Sequence, residues 1–262
     1  MPSLTRHPTG DSIRKLGLLA ALSAIAFGGG GCATSGPNHV YLAQENSPAV
    51  QDLGPTPAVV GGAVSPGERV TGLAYDFNTD HLFLRISPAQ VIRVIERPSG
   101  KILREMPLAD DLKADGPADL AIRSADRHLF AVHPDGRSVV ELTLFGEFVH
   151  RLALRAPADP IGGLAYDQKN HRLLVLTATF PARIGSVAPD GFVTYYVTLA
   201  GAVRPVSLGF DSDAQHCFVP LADGTSLGEF DATGALVQTH RTGDTGSITA
   251  VDAGPRAFVR VF

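Results

Sequence analysis

One short segment recurs along this chain at nearly constant intervals, and that regularity restricts the possible folds more than any other feature. The copies are VTGLAYD at 70–76, PADLAIR at 117–123, IGGLAYD at 161–167 and PVSLGFD at 205–211, with a weaker fifth copy, ITAVD, at 248–252. Aligned on the leucine position they fall at 73, 120, 164, 208 and 251, spacings of 47, 44, 44 and 43 residues. Each of the first four copies is followed by a polar turn and a short apolar strand beginning at His81, His128, Arg172 or His216. A third strand then runs to a glycine turn, at Gly100, Gly146, Gly191 or Gly234. Glycine supplies the positive backbone φ that a tight hairpin needs. Beyond each glycine a strand of mixed alternation is expected, over 101–108, 147–154, 192–199 and 235–242.

Four strands in a period of this length make one blade of a β-propeller. The chain therefore reads as all-β, with only 109–114 having a short helical look. Its two ends supply the parts of one more blade. The C-terminal copy stops after an inner strand and residues 257–262, while Gly54 lies 46 residues before Gly100, which makes 47–53 a third strand and 56–64 an outer one. Joining the ends closes the ring at five blades and pairs sheet edges that would otherwise invite aggregation. The segment 39–42 also looks like a second strand, so a sixth, incomplete blade stays open as the alternative.

The first 31 residues read as an export signal: Arg6, Arg14 and Lys15, then an apolar run over 16–27, then small residues up to Cys32. The apolar run is too short to span a bilayer. A cysteine directly after such a stretch resembles the lipobox of bacterial lipoproteins, which implies lipidation at Cys32 and a tether over 32–39. Gly29 stands where the lipobox prefers a branched apolar residue, so ordinary signal-peptidase cleavage is the alternative. Ala33 is not the aspartate that retains lipoproteins in the inner membrane, and the resemblance thus implies an outer-membrane anchor facing the periplasm. Cys217, in an apolar run, has no partner for a disulfide and reads as a buried thiol. Without residues 1–31 the chain holds 19 basic residues against 25 acidic, a net charge of −6. That balance argues against nucleic acid and against electrostatic docking on anionic lipid; contact with the membrane is expected through the lipid anchor only.

An inner strand ending in Tyr-Asp or Phe-Asp, then a polar turn and an apolar strand, is similar to the broad group of NHL, YVTN and SMP-30-like propellers, over residues 40–262. The lack of tryptophan removes the WD40, kelch and Asp-box signatures. In SMP-30-like lactonases a divalent metal on the channel axis is held by Glu, Asn and Asp side chains. Here the inner strands start with Thr71, Ala118, Gly162, Val206 and Thr249, and only the neighbouring Asp119 offers an acid, which weakens that reading.

Candidate site residues come from the loops that join an outer strand to the next inner strand, because these rim the channel on one face. Five places before the aligned leucines stand Glu68, Asp115 and Asp159. Together with Asp119 they could converge on calcium, zinc or a basic ligand. Asp115-Gly116-Pro117 and Asp159-Pro160 are standard turn formers, and ordinary turn chemistry is the favoured reading. The recurrent histidines and Asp76, Asp167 and Asp211 read as repeat-encoded turn residues, and arginines such as Arg183 and Arg204 as loop charge. No Gly-x-Ser-x-Gly elbow and no phosphate loop occurs. The expected function is a membrane-anchored, non-catalytic platform in the cell envelope for a protein, peptide or glycan. The alternative is a metal-dependent periplasmic hydrolase or lactonase.

Overall fold

A computed structural model describes residues 38–54, 57–155, 159–242 and 246–255. The export segment, Cys32 and residues 257–262 lie outside the described residues. Twenty strands form five four-stranded antiparallel sheets. The first sheet holds β1 (His39–Gln44), β2 (Val50–Asp52) and β3 (Ala58–Val60). The second runs from β4 (Arg69–Asp76) through β5 (His81–Ser87) and β6 (Val91–Glu96) to β7 (Ile102–Pro107). The third comprises β8 (Leu120–Arg123), β9 (His128–Val132), β10 (Ser138–Thr143) and β11 (Phe148–Ala153). In the fourth lie β12 (Ile161–Asp167), β13 (Arg172–Thr177), β14 (Arg183–Val187) and β15 (Val193–Thr198). The fifth has β16 (Gly209–Asp211), β17 (His216–Pro220), β18 (Ser226–Phe230) and β19 (Leu236–Arg241). The last strand, β20 (Ile248–Gly254), returns to pair with β1 and completes the first sheet.

The ring therefore has five blades, the first closed by both ends of the chain. Its second strand is His39–Gln44, in register Leu42↔Val251. The four expected outer strands appear within one residue of their expected bounds at each end. Only a 3₁₀ turn, Asp110–Leu112, occupies the segment with a helical look.

Inner strands neighbour one another in the order β20, β4, β8, β12, β16 and back to β20. A separate apolar cluster fills each of the five gaps between blades. Leu73 and Tyr75 face the first blade while Ala74 and Phe83 face the third, so inner and second strands are buried on both faces and read as continuous apolar runs. The outer strands β11 and β19 are mostly exposed. Two constraints keep the turn glycines: all four have φ between 68° and 86°, and a Cβ on Gly191 would lie 2.1 Å from the Ala153 carbonyl oxygen of the preceding blade. The aspartates after the inner strands hold turns as expected, with Asp211 accepting from the Asp213 and Ala214 N–H groups at 2.8 and 2.9 Å.

Candidate functional site: the channel mouth

The axis of the ring is closed by two layers of inner-strand residues. In the aligned copies the position before the leucine is Gly72, Asp119, Gly163, Ser207 and Ala250, and the position after it is Ala74, Ala121, Ala165, Gly209 and Asp252. Each layer holds one aspartate among four small residues. The small residues let five backbones crowd together, and the aspartate crosses the space they leave. Asp119 Oδ2 accepts the Leu164 and Leu208 N–H groups at 2.8 and 3.0 Å, and its Oδ1 accepts the Ser207 hydroxyl at 2.8 Å, so one side chain ties the third blade to the fourth and fifth. Asp252 Oδ2 accepts the Tyr75 N–H at 2.7 Å, tying the closing blade to the second. Burial pushes the Asp119 carboxyl well above its ordinary range, against the pull of its hydrogen-bond donors. It also raises Asp252 to about 7.

The Asp252 shift gives a pH dependence with a definite sign. Between the usual carboxylate value near 4 and about 7, folded Asp252 holds a proton that the unfolded chain releases, so its contribution to stability falls as pH rises through that window and is flat above it. Thermal melting of wild type against Asp252→Asn from pH 4 to 8 is expected to show the wild type losing relative stability up to about pH 7. Parallel curves would mean that the carboxyl is ionised throughout.

Above this plug the channel opens into a cavity of about 470 Å³ on the face of the inter-blade loops. Its wall contains the whole ring of residues two places before the aligned leucines: Thr71, Ala118, Gly162, Val206 and Thr249. None of the five takes part in a regular ladder. The pairing of β4 with β5 skips Thr71, that of β12 with β13 skips Gly162, and that of β20 with β1 skips Thr249. Ala118 and Val206 precede their strands. Such bulges leave main-chain groups outside the sheet, and here they border a cavity. Glu45, Arg69 and Arg204 supply its charge. A recess of about 400 Å³ beside the β1–β2 turn shares Glu45 and Arg69 with the mouth. On the other side a recess of about 240 Å³, reaching Ser87, Gln90 and Asp115, shares Arg69, Thr71, Gly116 and Ala118. The three make one trough across the face.

The acidic candidates occupy separate places. Glu68 forms a bidentate pair with Arg93 at 2.7 and 3.0 Å, which holds its carboxyl below the usual range. Asp159 pairs with Arg183. Asp115 is exposed on the wall of the smaller recess, and Asp119 is consumed in the plug. Among the described residues no three His, Cys, Asp or Glu side chains come together as a metal-holding group. On the opposite face three second-strand histidines meet carboxylates of the third strand: His39 with Asp52 at 2.8 Å, His128 with Glu141 at 2.5 Å and His216 with Glu229 at 2.6 Å. Glu229 also meets His240 at 2.8 Å, and these contacts hold its carboxyl below the usual range despite partial burial. Sequence reasoning passed over Arg69 and Glu45. The available signal was the alternation of Arg69 with Thr71 at the start of an inner strand.

No family model and no curated protein matches the sequence. Solved structures match in fold. The chain is similar to one in the crystal structure of a nidogen/laminin complex, with TM-score 0.62 and 13% identity over 84% of this chain and 100% of that one. A protein of unknown function from Bacteroides caccae gives TM-score 0.49 and 13% identity over 83% and 98%. A streptogramin B lyase gives 0.45 and 13% over 78% and 66%. At such identities the likeness is one of fold alone.

Proposed function

We propose that this protein is a lipid-anchored propeller of the cell envelope, tethered through Cys32, that acts as a non-catalytic platform for an extended polypeptide segment laid across the channel mouth. The observation that carries the reading is the set of three bulged positions in the ring at the mouth. Main-chain groups released from the ladders at Thr71, Gly162 and Thr249 border a trough, where a peptide backbone can satisfy them as an added strand satisfies a sheet edge. No aromatic ring lines the trough among the described residues, whereas sugar rings ordinarily pack on one. The nidogen/laminin structure, similar in fold, is a complex of proteins, which is in keeping with a protein partner.

A photo-crosslinking residue at Val206, in the mouth, is expected to capture polypeptide in cells, while the same residue at Val237, 55% exposed on an outer strand, captures little. Equal capture at both positions would overturn the platform reading. Cys32→Ser is expected to abolish acyl incorporation and release the chain from the membrane fraction, and a chain that stays bound to membrane would remove the anchor.

A further inference from the structure

We infer that the channel mouth recognises a carboxylate on the bound peptide, an acidic side chain or a free C-terminus, through Arg69 and Arg204. The inference rests on the reading of the trough as a polypeptide site and adds the chemistry of its anchor point.

Most arginines elsewhere in the propeller are committed to partners, and the two described ones that make no side-chain hydrogen bond or ion pair, Arg155 and Arg241, line no part of the trough. Arg93 is held by Glu68 and Glu105, Arg123 by Glu141, Arg172 by Asp167 and Arg183 by Asp159. Arg69, among the described residues, makes no side-chain hydrogen bond or ion pair and is exposed. Arg204 only reaches the Ile248 carbonyl oxygen, at 3.5 Å, the outer limit of a hydrogen bond. Both line the same cavity, and they occupy the same position of their repeats, four places before the aligned leucine. Two guanidinium groups with spare donors therefore face one space in a chain whose net charge is −4. Glu45, the one other charged residue on the wall of the mouth, forms no ion pair with either; of the acids on the adjoining recesses, Glu68 is held by Arg93 and Asp115 stands exposed. Guanidinium groups bind carboxylates through paired, charge-assisted hydrogen bonds, and the apolar floor of Ala118, Gly162 and Val206 lowers the competition from water. Arg69 borders the mouth and both recesses, so a carboxylate held there leaves chain on either side free to follow the trough. Glu45 remains to accept from a peptide N–H or amine.

The test is isothermal titration of the full chain in detergent with three mixed-sequence octapeptide pools and an oligogalacturonate. One pool carries a central glutamate and an amidated C-terminus, the second a central glutamine and an amidated C-terminus, and the third a central glutamine and a free C-terminus. The glutamate or the free-carboxylate pool is expected to bind about tenfold or more tightly than the neutral one, with an advantage that shrinks as salt is raised. Which of the two gains identifies the source of the carboxylate. The double variant Arg69→Gln, Arg204→Gln is expected to erase the advantage of the carboxylate pool over the neutral one while leaving the melting temperature unchanged. Equal affinity for all three pools overturns the carboxylate inference and leaves the platform standing. Absence of binding by every pool overturns both. Arginine-dependent binding of oligogalacturonate alone replaces the peptide with an acidic sugar.

Discussion

Asp119→Ala is expected to destabilise the propeller by about 3–5 kcal/mol, a fall of roughly 10 °C in melting temperature for a domain of this size. The loss would leave the Leu164 and Leu208 N–H groups and the Ser207 hydroxyl without their shared acceptor at the axis, where water has little access. Asp119→Asn is the informative companion. Its amide oxygen can keep both N–H groups, and its NH₂ can donate to Ser207 Oγ once that hydroxyl turns fully to the Val251 carbonyl, 3.2 Å away. The Asn variant should therefore retain most of the stability, within about 1 kcal/mol. Denaturant melts of the two variants decide the matter. Equal, small losses would show that the blades hold together by their apolar interfaces alone and that the plug is incidental.

The second large effect is expected at Gly162. A Cβ there would sit 1.8 Å from the Pro205 carbonyl oxygen in the next blade, a clash with backbone that no rotamer relieves. Gly162→Ala should cost about 3 kcal/mol or more, because the fourth and fifth blades must separate at the channel wall. Gly61→Ala is the control: nothing lies within 4 Å of its added Cβ, and the change should stay within about 0.5 kcal/mol. The same melting experiment reads both. A Gly162→Ala protein as stable as Gly61→Ala would mean that the inner strands can move apart freely.

These two sites differ in how far they could be read from the amino-acid order. The repeat period, outer strands and turn glycines were legible because each depends on local pattern: apolar runs for strands buried on both sides, and a glycine where φ must be positive. Gly162 was visible in its repeat, but the reason for it was not, since the atom it avoids belongs to a residue 43 positions on. Glu68 and Asp159 invited a common site by their equal spacing from the aligned leucines. Each instead meets an arginine of its own blade, Arg93 and Arg183, and an ion pair formed inside a blade is invisible to a comparison between blades.

His39–Gln44 shows the same boundary at the scale of the fold. Its strand character was plain, yet whether it opened a sixth blade or completed the closing one turned on a partner some 200 residues away. By itself the sequence determined the repeating unit, its strands and the face on which its loops gather. Tertiary structure alone decided which end fills the closing blade, which carboxylates become the axial plug and which arginines are left free at the mouth. The reason is physical. Side-chain alternation and glycine conformations act within a few residues, whereas the groups that meet at the axis, such as Asp119 and Ser207, come from different blades and share a hydrogen bond only once the ring has closed.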